Sequence, residues 1–215
     1  GPIGSVTTGG GIIGAPLGGL ETPGGRELAA DIDGDGRIED RTALYAAGSA
    51  NRFAVNGHLR GDAVVNRGLK MLRTIGGDAM GDVRVGENGG RLMAIGGSFA
   101  GDVNVGRNLD FLMALKGDIN GAVNVGSDAG TILAVSGSPG GDVNGPITVG
   151  GRLDGLLAIG GGVTTDVGAG SIGQILATNG PIGVVSEPAA SIIQTTEGGI
   201  DTVAAVGGGI HADID

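Results

Sequence analysis

The residues best suited to chemistry lie near the start of the chain, in Asp31-Ile32-Asp33-Gly34-Asp35-Gly36-Arg37-Ile38-Glu39-Asp40. Counting Asp31 as position 1, carboxylates fall at positions 1, 3, 5 and 9 and Gly36 at position 6. Calcium is a hard cation that takes six to eight oxygens at about 2.3–2.6 Å, and alternating short carboxylates in a turn converge on one such point. Gly36 permits the bend, and Arg37 offers its backbone carbonyl while its side chain points away. Glu39 or Asp40 completes the shell. The expected cofactor is therefore calcium, with Asp31, Asp33, Asp35, Arg37, Glu39 and Asp40 as its ligands. The competing reading is a solvated acidic turn, in which these carboxylates repel one another without return.

A second acidic feature is spread along the chain. Asp62, Asp82 and Asp102 recur at intervals of 20, Ala122 interrupts, and Asp142 resumes the series. Stacked at strand spacing, about 5 Å, such residues set like charges face to face. Each follows a glycine, and each is expected to accept the amides of its own loop as an Asx turn instead of forming a row of cation sites. Asn104 and Asn124, preceded by Arg84, make a neighbouring column with the composition of an amide ladder.

Catalytic constellations are scarce. His58 and His211 are the only histidines, far apart, and neither a nucleophile elbow nor histidine-rich metal spacing accompanies them. Lys70, Arg73, Arg107 and Lys116 have the chemistry of a polysaccharide-cleaving base. Such sites also use aromatic platforms, and this chain has one Tyr, three Phe and no Trp. The chain is therefore read as not an enzyme.

The element that must position these residues is a repeat. A shift of 20 residues superposes the segments that begin at Gly61, Gly81, Gly101 and Gly121 without a gap. The next copy, from Gly141, carries four extra residues before Leu156, Leu157, Ala158 and Ile159 return to the columns of Leu92, Met93, Ala94 and Ile95. Down the columns run three aliphatic rows: Val65, Val85, Val105 and Val125; Leu72, Leu92, Leu112 and Ile132; Ile75, Ile95, Leu115 and Val135. Like aliphatics at a short period, with Gly-rich corners and no 3.6-residue spacing, cannot bury their own inner face and must stack on neighbours. The expected fold class is all-β: a single-domain parallel β-solenoid, right- or left-handed, with coils of about 20 residues.

At that period 215 residues make at most ten or eleven coils, a rod of about 50 Å. Residues 1–40 are expected to form N-terminal coils with the calcium-loop excursion, 41–165 the regular repeat, and 166–215 irregular terminal coils of the same solenoid. Gly77, Gly97, Gly117 and Gly137, with Gly86, Gly106 and Gly126, are expected to supply positive φ and close approach at the corners. The opening Gly1 to Gly4 recurs at Gly180 to Gly183, which reads as native repeat sequence in a processed or excised chain.

The stretch Asp31 to Asp40 resembles the DxDxDG calcium loops of dockerins, integrin-type propeller repeats and EF-hands over about ten residues. It departs from the EF-hand at loop position 12, where Thr42 stands in place of the bidentate Glu, so the resemblance implies a static clip and not a helix-loop-helix switch. The whole chain is similar to the Gly-rich, Val/Asn/Asp-rich solenoid segments of large bacterial surface proteins. That similarity implies an extracellular or cell-surface location, where calcium is plentiful.

Charge and composition narrow the partners. With 13 basic and 23 acidic residues the net charge is −10, which repels nucleic acid and anionic lipid, and no run of eighteen apolar residues is present for membrane insertion. Absence of cysteine removes disulfides and thiolate chemistry. Threonines form no stacked column, which argues against an ice-binding face. Neither end reads as an amphipathic helix or charged cap, and an uncovered coil invites another copy. The expectation is a structural extracellular subunit that assembles head to tail into a homo-oligomeric fibre or scaffold stabilised by calcium. The alternative is a polysaccharide-binding or polysaccharide-cleaving module, an adhesin or lyase-like element that takes a surface glycan.

Overall fold

Each lap of the chain contains three short extended segments, and each segment finds its partner one lap on. The computed structural model describes residues 6–8, 42–137, 140–183 and 191–215. Among these, regular structure is strand throughout, and no helix is long and apolar enough to cross a membrane. The result is a single parallel β-solenoid with coils of about 20 residues.

Three walls define a coil. The short wall stacks Asp62–Val65, Val83–Val85, Val103–Val105 and Val123–Val125. The long wall stacks Leu69–Ile75, Gly89–Ile95, Leu109–Leu115 and Ala129–Val135. The third, the bridge wall, is one residue wide, with Leu59 on Ala79 on Phe99 on Ile119. All the ladders between these strands are parallel, and the residues paired across them lie 20 apart. Farther along, Ile147–Ile159 runs through short and long walls as one strand, with a register shift between Val149 and Arg152.

The bridge wall also counts the coils. Its eight positions continue from Ile119 through Val143, Val163, Ile182 and Ile210, at spacings of 24, 20, 19 and 28. Eight rungs at about 4.8 Å give a rod of about 38 Å, shorter than the 50 Å expected from an even period. The chain spends the difference on longer laps. Val6–Thr8 stacks under Phe53–Asn56, and 38 residues then separate Thr8 from Ala46, where only ten separate their stacked counterparts Val55 and Val65. The calcium-loop residues Asp31, Asp33, Asp35, Arg37, Glu39 and Asp40 fall in that interval and lie outside the described residues.

The four extra residues sit elsewhere than the sequence alignment puts them. Ile119 pairs with Val143 and Val123 with Ile147, so the lengthening lies between Val135 and Val143, before the bridge position and not after it.

The core fills the lumen with the expected rows. Val65, Val85, Val105 and Val125 are at most 3% exposed, and Leu72, Leu92, Leu112 and Ile132 are fully buried, with Phe53 heading that second row. The third expected row does not line the lumen. Ile75, Ile95, Leu115 and Val135 stack as foreseen, but on the outside, with Ile75 37% exposed. Residues three apart on a strand point to opposite faces, so a row at 72 excludes a row at 75. Position 74 points inward instead, where Ala94, Ala114 and Ala134 are buried and the Thr74 hydroxyl donates to the Gly77 carbonyl at 3.0 Å.

Glycine acts at the corners in two separate ways. Positive φ falls one residue earlier than expected, at Gly76 and Gly96, and Lys116 takes the same conformation with φ 68°. Gly106 is a close-approach position: a Cβ there would collide with the Gly86 carbonyl of the coil below.

Candidate functional site

The polar corner columns are the first place to look for chemistry, because the fold stacks their side chains coil on coil. The Asp column proves to be a hydrogen-bond ladder between coils. Asp62 Oδ1 accepts the amide of Asp82 at 2.9 Å, Asp82 Oδ1 that of Asp102 at 2.9 Å, and Asp102 Oδ1 that of Ala122 at 2.8 Å. This corrects the expected Asx turns: the amide that each carboxylate satisfies belongs to the next coil and not to its own loop. Asp142 does not belong to this column. Its amide donates to Asp118 Oδ1 at 3.0 Å, in a second ladder that runs from His58 through Asp78, Ser98 and Asp118.

Two more polar ladders complete the corners. Asn88 Oδ1 accepts from the Asn108 amide at 3.3 Å, and Asn108 Oδ1 from the Asp128 amide at 3.2 Å. On the short wall the amide pair foreseen from the sequence forms, with Asn124 Nδ2 donating to Asn104 Oδ1 at 3.0 Å. Beside it, Arg84 reaches Asp82 at 3.4 Å. In these side-chain-to-amide ladders the acceptor on one coil takes the amide of the following coil. That arrangement satisfies backbone donors and lends the rod a direction.

The histidines serve this scaffold or lie apart from it. His58 Nδ1 accepts the Asp78 amide at 3.0 Å and lies 3.2 Å from the Asp78 carboxylate. His211 lies seven coils away, in the terminal strand Ile210–Ile214. The four candidate bases do not converge. Lys70 and Arg73 share the outer long wall, whereas Arg107 and Lys116 occupy exposed positions at other corners of a different coil. Among the described residues, no three or more His, Asp or Glu side chains cluster as a metal site.

Two surface features were not anticipated from the sequence. One is a shallow groove of about 440 Å³ at the N-terminal end of the long wall, lined by Arg52, Lys70, Arg91 and Asp110, a basic spot on an acidic chain. The other is the outward face of the same wall. Met93, Met113, Leu133, Leu157 and Leu176 stack in one half-buried column, and the displaced row of Ile75, Ile95, Leu115, Val135 and Ile159 forms a second. A strict period of two applied to the long strand would have found both columns. Near the C-terminal end Arg152 lies 2.8 Å from Asp154 and 3.4 Å from Asp201. Hydrogen bonding to Asp154 above all, together with the charge of both carboxylates, raises the guanidinium above its ordinary value, so it stays charged.

No family model, curated protein or solved structure matches this chain.

Proposed function

We propose that the chain is a structural subunit of an extracellular or cell-surface assembly, a rod extended end to end by further copies and clipped by calcium at Asp31 to Asp40. The observation that carries this reading is the state of the last described coil. Ile210 and Ile214, which continue the bridge and short walls, are each 46% exposed, whereas their equivalents Ile182 and Ile193 one coil below are fully buried. A further coil, whether contributed by another copy or by more of the same chain, would bury both and pair the free strand edge. Parallel strand pairing runs to the last strand, so stacking in the same sense continues that pairing and reversal breaks it, which favours head-to-tail growth. Electron microscopy and sedimentation in calcium test the proposal. Filaments are expected from the natural chain and single rods from Ile210→Asp with Ile214→Asp; single rods from both would overturn it.

Calcium enters on the carboxylate spacing alone. Adding it to chelated protein is expected to raise the melting temperature, and Asp33→Ala to remove that rise. An unchanged melting curve in the natural chain removes the clip. A second reading, an adhesin that takes acidic polysaccharide, is favoured by the basic groove. Retention on an acidic-glycan column that Arg91→Ala abolishes is the result that would favour it over the rod.

A further inference from the structure

The outer long wall carries two apolar columns, whereas the outer short wall shows Arg84, Asn104, Asn124 and Thr148 in one column. Over the seven coils from Leu69–Ile75 to Ile200–Val206 it measures about 34 Å along the rod and about 16 Å across. Its two apolar columns each span five consecutive coils, Met93 to Leu176 following Arg73 and Ile75 to Ile159 before Thr178, and Val206 at the far end is 59% exposed. The whole face, apolar columns and flanking polar residues together, covers about 550 Å². Two such faces pressed together bury about 1,100 Å², which clears the roughly 1,000 Å² that specific interfaces need.

Charge along the same wall identifies what fits on it. The N-terminal end carries Arg52, Lys70, Arg73 and Arg91, whereas the C-terminal end carries Asp154 and Asp201 with only Arg152 between them. One end is positive and the other negative, with the apolar columns between. We propose that the long wall is the contact face of a lateral, antiparallel dimer of this chain. The two-fold axis lies along the strand direction and passes through the fourth of the seven coils, at Leu133 and Val135.

This operator keeps every column and reverses the order of coils. Lys70 and Asp201 occupy equivalent positions in the first and seventh of these coils, so each Lys70 comes over the Asp201 of the second copy. Leu133 meets Leu133 at the axis, and Met113 meets Leu157. Asp110 comes over Asp154, whose charge Arg152 already holds at 2.8 Å. A parallel pair would instead set the four cations of one copy against those of the other, which disfavours it. The contact is independent of end-to-end growth, because it uses no residue of the bridge wall.

Sedimentation equilibrium of the full chain carrying Ile210→Asp and Ile214→Asp, at tens of micromolar, isolates the lateral contact. A dimer is expected. Leu133→Glu in that background is expected to give monomers with an unchanged far-ultraviolet circular dichroism spectrum. Lys70→Glu is expected to weaken the dimer about tenfold, and adding Asp201→Lys to restore it. A monomer at this concentration overturns the proposal. So does a dimer indifferent to both Leu133→Glu and Lys70→Glu.

Discussion

The short and long walls are built over the same lumen but differ on their outer faces. Inward, both present stacked aliphatics that are almost wholly buried, Val105 on one and Leu112 on the other. Outward, the short wall shows Arg84, Asn104, Asn124 and Thr148 in one column, and the long wall shows Met93, Met113, Leu133 and Leu157 in the matching one. Inner rows answer to the fold, which needs them on every coil. Outer columns are under no such demand, so a sustained apolar column on one wall alone reports something beyond folding.

The sharpest way to break the comparison is to move a charge from outside to inside. Leu112→Asp puts a carboxylate into the lumen without a partner and is expected to abolish cooperative unfolding, read by thermal denaturation; Leu112→Ala is expected to cost about 2–5 kcal/mol. The outward neighbour Met113→Asp is expected to leave the melting temperature of the single rod within a few degrees. If Met113→Asp unfolds the chain as Leu112→Asp does, the two surfaces are not distinct.

Effects at the corners are smaller. Asp102→Ala strips the acceptor from the Ala122 amide and is expected to cost about 1 kcal/mol in urea denaturation. Asp102→Asn keeps an oxygen in place and is expected to recover most of that loss, because the ladder uses Oδ1 as an acceptor and has no need of its charge. Smallest is Lys116→Gly: the lysine holds φ 68°, and relief of that conformation is expected to stabilise by about 1 kcal/mol or less.

What the sequence disclosed follows from which residues repeat for one reason only. Val85, Val105 and Leu92, Leu112 recur because the lumen requires them, and a 20-residue shift finds them directly. Asp142 misled because each coil carries two similar corners. Gly101-Asp102-Val103-Asn104 opens the short wall and Gly117-Asp118-Ile119-Asn120 spans the bridge wall. Gly141-Asp142-Val143-Asn144 matches the first in letters and the second in space, where Asn144 Nδ2 donates to Asn120 Oδ1 at 2.9 Å. The Ile75 row misled in another way: a column analysis reports that residues stack, not which way they face. The direction of the Asp ladder was not legible, since a carboxylate reaches its own loop and the next coil from the same position. The acidic loop remains a reading of spacing, as its residues lie outside the described ones.

The lap between Val135 and Val143 takes eight residues where Leu115 to Ile119 takes four, yet the columns on either side stay in step. A rod of this kind tolerates length at that corner without losing count, so a foreign peptide spliced there is carried at a fixed height and on a fixed side. In the end-to-end assembly proposed above, the same corner would become an evenly spaced row of attachment points, a ruler as much as a strut.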